Sequence, residues 1–143
     1  NRNAQTLIDA FMPFSGNRGP IRIPLPKCVG CVGDCPKLGC RHAYYRFYIF
    51  VRVENLKSSW TRDRIIEEIA DQSVPCMQGS CSEIYLEQAF QSAQLQPNQP
   101  LQSAHDLGET SIAFLVHPTL DVIHMNTIAS TAISIFKRAS KYS

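Results

Sequence analysis

No apolar run in the chain approaches the ~18 residues that a membrane-spanning helix requires. No charged, apolar, small-residue signal pattern opens it, and no block of five or more like charges interrupts it. The G-x-G-x-x-G, P-loop and G-x-S-x-G signatures are all absent, which removes the best-marked nucleotide and serine-hydrolase chemistries. His42, His105, His117 and His124 are dispersed, with no H-x3-H ligand spacing among them. Charge of one sign is also scarce: 14 Lys and Arg against 12 Asp and Glu leave a net +2. A nucleic-acid partner normally demands a basic face, so neither nucleic acid nor membrane is expected as a partner.

What is present is an ordinary globular composition, 44% hydrophobic and 18% charged over 143 residues. That length suits one domain with one core. The chain opens NRNAQTLIDAF, without methionine and already in helical periodicity. This start predicts a piece of a longer polypeptide, its C-terminal portion. Six cysteines allow an extracellular disulfide framework. The size of the core and the absence of a secretory pattern favour a cytoplasmic origin with reduced or metal-bound thiols.

Hydrophobic periodicity sets out the elements. Leu7, Ile8 and Phe11 form one helical stripe, which Pro13 ends. From Ser15 to Cys40 the residues are turn chemistry, so residues 1–41 read as an entry helix and a Cys/Pro/Gly-rich loop. Within YYRFYIFVRV, Tyr45, Phe47, Ile49, Val51 and Val53 alternate onto one strand face, opposite Tyr44, Arg46, Tyr48, Phe50 and Arg52. A Ser or Thr cap precedes a helix with Ile65, Ile66, Ile69 and Ala70 in its stripe, and a short strand follows over 74–77. Ser80 and Glu83 have capping-box spacing for a helix running to about Phe90. A further helix carries Leu101, Ala104 and Leu107 and stops at Gly108. SIAFLVHP is a buried strand, and Thr119 caps a last helix with Ile128, Ala129, Ala132, Ile133, Ile135 and Phe136 inward. The expected fold is a two-layer α/β (α+β) domain over 42–143, with helices on one side of a small sheet.

KCVGCVGDCPKLGCR places Cys28, Cys31, Cys35 and Cys40 at C-x2-C-x3-C-x4-C spacing among three glycines. Four thiolates suit tetrahedral zinc, and glycine lets the backbone wrap an ion closely. Local disulfides or free thiols on an inserted loop fit the same spacing. Cys76 and Cys81 flank a turn before a predicted helix start, where a thiolate pKa can fall, although half-buried cysteine usually serves only as a small hydrophobe. His117, before a proline at a strand end, reads as a packing or capping residue. Glu67, Glu68 and Glu83 read as solvated carboxylates on helix surfaces.

Three stretches in order, HAYYRFYIFVRVENL, WTRDRIIEEIADQSVPCMQGSCSEIYLEQAF and LQSAHDLGETSIAFLVHPTL, resemble the C-terminal small domain of DegT/DnrJ-family sugar aminotransferases over residues 42–137. The resemblance implies the small domain of a pyridoxal-phosphate enzyme of the aspartate-aminotransferase fold (fold type I). It implies a homodimer that transfers an amino group, usually from glutamate, to a nucleotide-linked keto-sugar in polysaccharide biosynthesis. The cofactor's lysine would lie in an N-terminal domain outside this chain, since Lys27, Lys37, Lys57, Lys137 and Lys141 lack the S-x-x-K-like setting. Met77, Gln78, Gly79 and Ser80 would form the substrate-facing loop, with Gln78 and Ser80 near where many members carry a His-Tyr or His-Phe pair. His117 and Pro118 match an H-P position. The four-cysteine loop matches no core pattern of the family. The readings from other classes are a small interaction module that binds metal through its four-cysteine loop, and a thiol redox protein.

Overall fold

A computed structural model describes residues 2–25, 42–79 and 81–142 of the chain. Helix α1, Arg2–Phe11, buries Asn3, Ala4, Leu7, Ile8 and Phe11, as its stripe predicts. A 3-10 turn, Met12–Phe14, follows, with Pro13 in its opening positions.

The supposed turn region holds a strand. β1, Ile21–Arg22, pairs antiparallel with β2, Phe47–Val51, in the register Ile21↔Val51 and Arg22↔Phe50. Two residues are too few to show alternation, so periodicity passes over such a strand. β2 buries Phe47, Ile49 and Val51. The predicted face was to extend to Tyr45 and Val53, yet these are 88% and 55% exposed. Tyr44, at φ 48°, turns the chain before the strand, and a 3-10 turn, Val53–Asn55, ends the run after it.

Among the described residues the sheet has the order β1-β2-β4-β3, antiparallel throughout. β4, Ser111–Phe114, is buried along its whole length between β2 and the edge strand β3, Cys76–Gln78. Phe47 pairs with Phe114 and Ile49 with Ile112, so one sheet face presents these side chains together. Helices α1, α2 (Arg62–Ala70) and α5 (Val122–Ala139) share the core with that face. The Phe11 ring lies 5.3 Å from Phe136, 5.5 Å from Phe114 and 6.2 Å from Phe47, centroid to centroid. The chain is a small α/β domain, as expected.

Several ends differ from expectation. Thr61 does cap α2, accepting from the Arg64 amide at 3.1 Å, but Ala70 is exposed and Arg62 takes the buried place one turn before Ile65. Asp121 rather than Thr119 caps α5, accepting from the His124 amide at 2.8 Å. Thr119 instead meets His117 Nδ1 at 2.8 Å. Where one helix was expected up to Phe90, a 3-10 turn, Ile84–Leu86, precedes a short α3, Gln88–Ser92. Ser80 lies outside the described residues, and among those described Tyr85 and His105 hold the Glu83 carboxylate. Helix α4, Gln102–Thr110, runs through Gly108, and Leu101 and Leu107 stay 50% and 42% exposed. Gly108 serves close approach rather than helix termination: a Cβ there would lie 2.1 Å from Ser82 Oγ.

Glu68 is not simply solvated. Its two oxygens meet Arg64 at 3.2 Å and Arg138 at 2.8 Å, and both guanidinium groups lie over Trp60, at 4.4 and 5.4 Å, tying α2 to α5. No helix of the described residues is long and apolar enough to cross a membrane.

Candidate functional site

Gly79 follows the edge strand β3 and lies flat against the start of β4. Its amide donates to Ser111 Oγ at 3.1 Å, and a Cβ at this position would stand 2.3 Å from that oxygen. Glycine is what admits the approach. Of the expected substrate-facing residues, Met77 is half-buried opposite Ala113, Gln78 is exposed opposite Ile112, and Ser80 lies outside the described residues.

Behind this loop, the buried Arg62 donates through Nη1 to the carbonyls of Gly108 at 3.0 Å and Ser111 at 3.1 Å. Its Nε lies 2.6 Å from the exposed Asp63 carboxylate, an ion-pair contact without hydrogen-bond alignment. On the outer side, Glu83 accepts from Tyr85 Oη at 2.7 Å and meets His105 Nδ1 at 2.9 Å. The Leu101 amide donates to Tyr85 Oη at 3.1 Å. The Tyr85 hydroxyl, with His105, holds the Glu83 carboxyl below its ordinary pKa, and Glu83 raises those of both His105 and Tyr85.

The sequence reading passed over Arg62, placed Ser111 only in a buried strand, and named His105 only as one of four dispersed histidines. For Arg62 a signal existed: spacing of three and seven residues from Ile65 and Ile69 puts it on the buried stripe.

Neither cysteine near the loop is an activated thiol. Burial pushes Cys76 up to about 11, and Cys81, exposed, is raised by its hydrogen bond to Glu87 at 3.4 Å. The helix start that was to lower a thiolate pKa does not form there. Cys28, Cys31, Cys35 and Cys40 lie outside the described residues. Among the described residues no group of three or more His, Cys, Asp and Glu is placed to hold a metal ion.

Pyridoxal phosphate needs a lysine amine presented in an enclosed site. The described lysines do not fit: Lys57, Lys137 and Lys141 are exposed, and Lys57 and Lys141 spend their amines on the carbonyls of Arg138 and Glu54, each at 2.8 Å. Lys27 and Lys37 lie outside the described residues. The remaining histidines act locally. His124 pairs with Asp121 at 2.7 Å, and the Tyr44 amide donates to His42 Nδ1 at 3.0 Å. The His117 carbonyl accepts from Asn3 at 2.8 Å. A cavity of about 710 Å³, lined by Arg2, Asn3, Tyr44, Tyr45 and His117 among others, opens at the far end of the sheet from Gly79.

No family model matches the chain, and no curated protein does. Among solved structures it matches the aminotransferase from Psychrobacter cryohalolentis with 40% identity and a TM-score of 0.84, over 96% of this chain and 33% of that one. The chain is similar to part of an aminotransferase. PseC of Helicobacter pylori, an aminotransferase involved in pseudoaminic acid biosynthesis, matches at 18% identity and TM-score 0.68, over 96% of this chain and 32% of its own. NtdA of Bacillus subtilis, with bound cofactor PMP, matches at 16% identity and TM-score 0.66, over 95% and 27%. These two likenesses carry the fold alone. The chain spans about a third of the length of the first of these structures.

Proposed function

We propose that this chain is the C-terminal small domain of a pyridoxal-phosphate-dependent sugar aminotransferase of the DegT/DnrJ type. The observation that carries this reading is the 40% identity to an aminotransferase over 96% of the chain, at a TM-score of 0.84. The ordered likeness of HAYYRFYIFVRVENL, WTRDRIIEEIADQ and GETSIAFLVHPTL to that family supports it.

In this reading residues 1–41 are an entry helix and loop, residues 42–143 form the small domain, and the cofactor's lysine belongs to a domain upstream. When bound there, the cofactor supplies the electron sink for amino transfer. The amino group passes from an amino acid, glutamate, to a nucleotide-linked keto-sugar used in polysaccharide biosynthesis. The enzyme is a cytoplasmic homodimer, and this domain alone is inactive.

The contribution of this chain is to bind and orient the acceptor through Met77, Gln78, Gly79 and Ser80. Gln78 offers an exposed amide that both donates and accepts, suited to sugar hydroxyls. Sites built to hydrogen-bond a hydroxyl discriminate strongly against analogues lacking it. The test is to purify the natural polypeptide and measure its intact mass and cofactor content. A chain about three times this length, following the 33% coverage, with bound pyridoxal phosphate supports the reading. A polypeptide without the cofactor contradicts it.

A further inference from the structure

The sheet has two sides, and the residues read as acceptor-facing are divided between them. Phe47, Ile49, Ile112 and Phe114 point into the core shared with α1, α2 and α5. Side chains alternate along a strand, so Tyr48 and Phe50 of β2, Ser111 and Ala113 of β4, and Met77 of β3 stand on the other side. Tyr48 pairs with Ala113, and Ala113 with Met77, which makes one row across three strands. None of Tyr48, Phe50, Ala113 and Met77 belongs to the core cluster, although Ala113 is fully buried. Gln78, paired with Ile112, takes the core side at the exposed edge.

Tyr48 also reaches Gly79. A Cβ on Gly79 would stand 3.5 Å from Tyr48 Cε1, an ordinary van der Waals distance, on the side where it would collide with Ser111 Oγ. The half-buried ring is therefore placed by the pairing of β2 and by its contact with Gly79. Its hydroxyl makes no hydrogen bond among the described residues. Nor is the hydroxyl sealed in, since the one buried side-chain atom without a partner among those residues is Arg62 Nε. The fold asks for a ring at this place and not for a hydroxyl. Phe50, two residues on and on the same side, is a half-buried ring that carries none.

We infer that Tyr48 is a further acceptor-binding residue, its hydroxyl bonding to a ring hydroxyl of the sugar seated against Met77 and Gly79. The inference deepens the proposed function and rests on its reading of Met77 and Gly79 as acceptor-facing. A phenol both donates and accepts, which suits a sugar hydroxyl. Because strand pairing and Gly79 already hold the ring, little side-chain freedom is lost when the hydroxyl engages. Tyr48 contributes to the binding and choice of acceptor and takes no part in the chemical step.

The test uses the natural polypeptide that carries this chain, as parent and as Y48F, loaded with pyridoxal phosphate. Steady-state transfer from glutamate is measured with a panel of UDP- and dTDP-linked keto-hexoses. For the sugar that the parent uses best, its singly deoxygenated analogues are measured as well. Y48F removes the hydroxyl and keeps the ring, so its thermal midpoint is expected within about 1 °C of the parent's. Its KM for the keto-sugar is expected to rise about fivefold, with kcat changed less than about twofold. One deoxy analogue is expected to be about fivefold worse than the full sugar for the parent and no worse for Y48F. Altered packing alone would not remove that discrimination. An unmoved KM in Y48F overturns the inference, as does a Y48F enzyme that still discriminates against every analogue as the parent does. A midpoint that falls in Y48F shows the hydroxyl serving the fold and overturns it too. These three outcomes leave the proposed function standing. A parent that aminates no sugar of the panel takes away the acceptor, and the inference falls together with the reading beneath it.

Discussion

The guanidinium of Arg62 donates to the carbonyl of Ser111 at 3.1 Å from a position only 7% exposed. The same nitrogen reaches the carbonyl of Gly108 at 3.0 Å, so one buried side chain satisfies two backbone acceptors at the corner between α4 and β4. Replacing it with Leu strands both acceptors. R62L is expected to lose about 2–3 kcal/mol of stability, measured by urea unfolding. An R62L variant as stable as the parent would mean that the corner holds without this tie.

Gly79 has no room for a side chain. G79A places a methyl 2.3 Å from Ser111 Oγ and 3.0 Å from Ser111 Cβ, against a buried residue of the central strand. Either the Ser111 hydroxyl rotates away or the loop lifts off β4, and both give up the bond from the Gly79 amide to Ser111 Oγ. Overpacking of this kind costs about 1–3 kcal/mol. A thermal midpoint unchanged by G79A would contradict the close seating of the loop.

The Glu83–His105 pair predicts a pH window. The pKa of His105 is raised, chiefly by its hydrogen bond to Glu83 and that carboxylate's charge, with Glu109 and Asp106 adding to it. Its contribution is full below the ordinary imidazole pKa and is lost as pH rises through the raised value. The pKa of Glu83 is lowered, first by Tyr85 and then by His105. Its contribution is full above the ordinary carboxylate pKa and is lost as pH falls through the lowered value. Both are present together at roughly pH 5 to 6. Hydrogen exchange over 79–87 should separate H105A from the parent most in that window and less at higher pH. A difference that instead grows above the window would contradict the pairing.

Cys76 and Cys81 are expected to stay protonated near neutral pH, because burial raises the first to about 11 and Glu87 raises the second. Iodoacetamide at pH 7, followed by peptide mass analysis, should leave Cys76 unmodified and label Cys81 more slowly than free cysteine. Rapid labelling of Cys76 would restore the thiol redox reading.

The helices that build the core were legible because their stripes report burial directly: Leu7, Ile8 and Phe11 in α1, Ile65 and Ile69 in α2, and Ile128 to Phe136 in α5. The same reasoning misled at Leu101 and Leu107. An apolar pattern does not say whether this chain covers it, and here it does not. Local capping signals failed where a distant group took the side chain. Glu83 was expected in the first turn of a helix, but residues 81–83 are not helical, and Tyr85 and His105, 22 residues away, hold its carboxylate. Strand β1 was too short to carry a period. The loop at Met77, Gln78 and Gly79 was marked by family resemblance, whereas its supports were not. Ser111 lies 32 residues from Gly79, and Arg62 lies 49 from Ser111. Contacts at such separations leave no local pattern to read.

The proposed function has the whole polypeptide move an amino group onto a keto-sugar. The most direct test incubates the natural, full-length polypeptide with pyridoxal phosphate, nitrogen-15 glutamate and a panel of nucleotide-linked keto-sugars that differ in nucleotide and keto position, then weighs each sugar by mass spectrometry. One of these sugars is expected to return as the amino-sugar carrying the heavy nitrogen, with 2-oxoglutarate formed in equal amount. Glutamate left intact beside every keto-sugar of the panel unchanged, with no pyridoxal phosphate retained by the protein, would contradict the proposal.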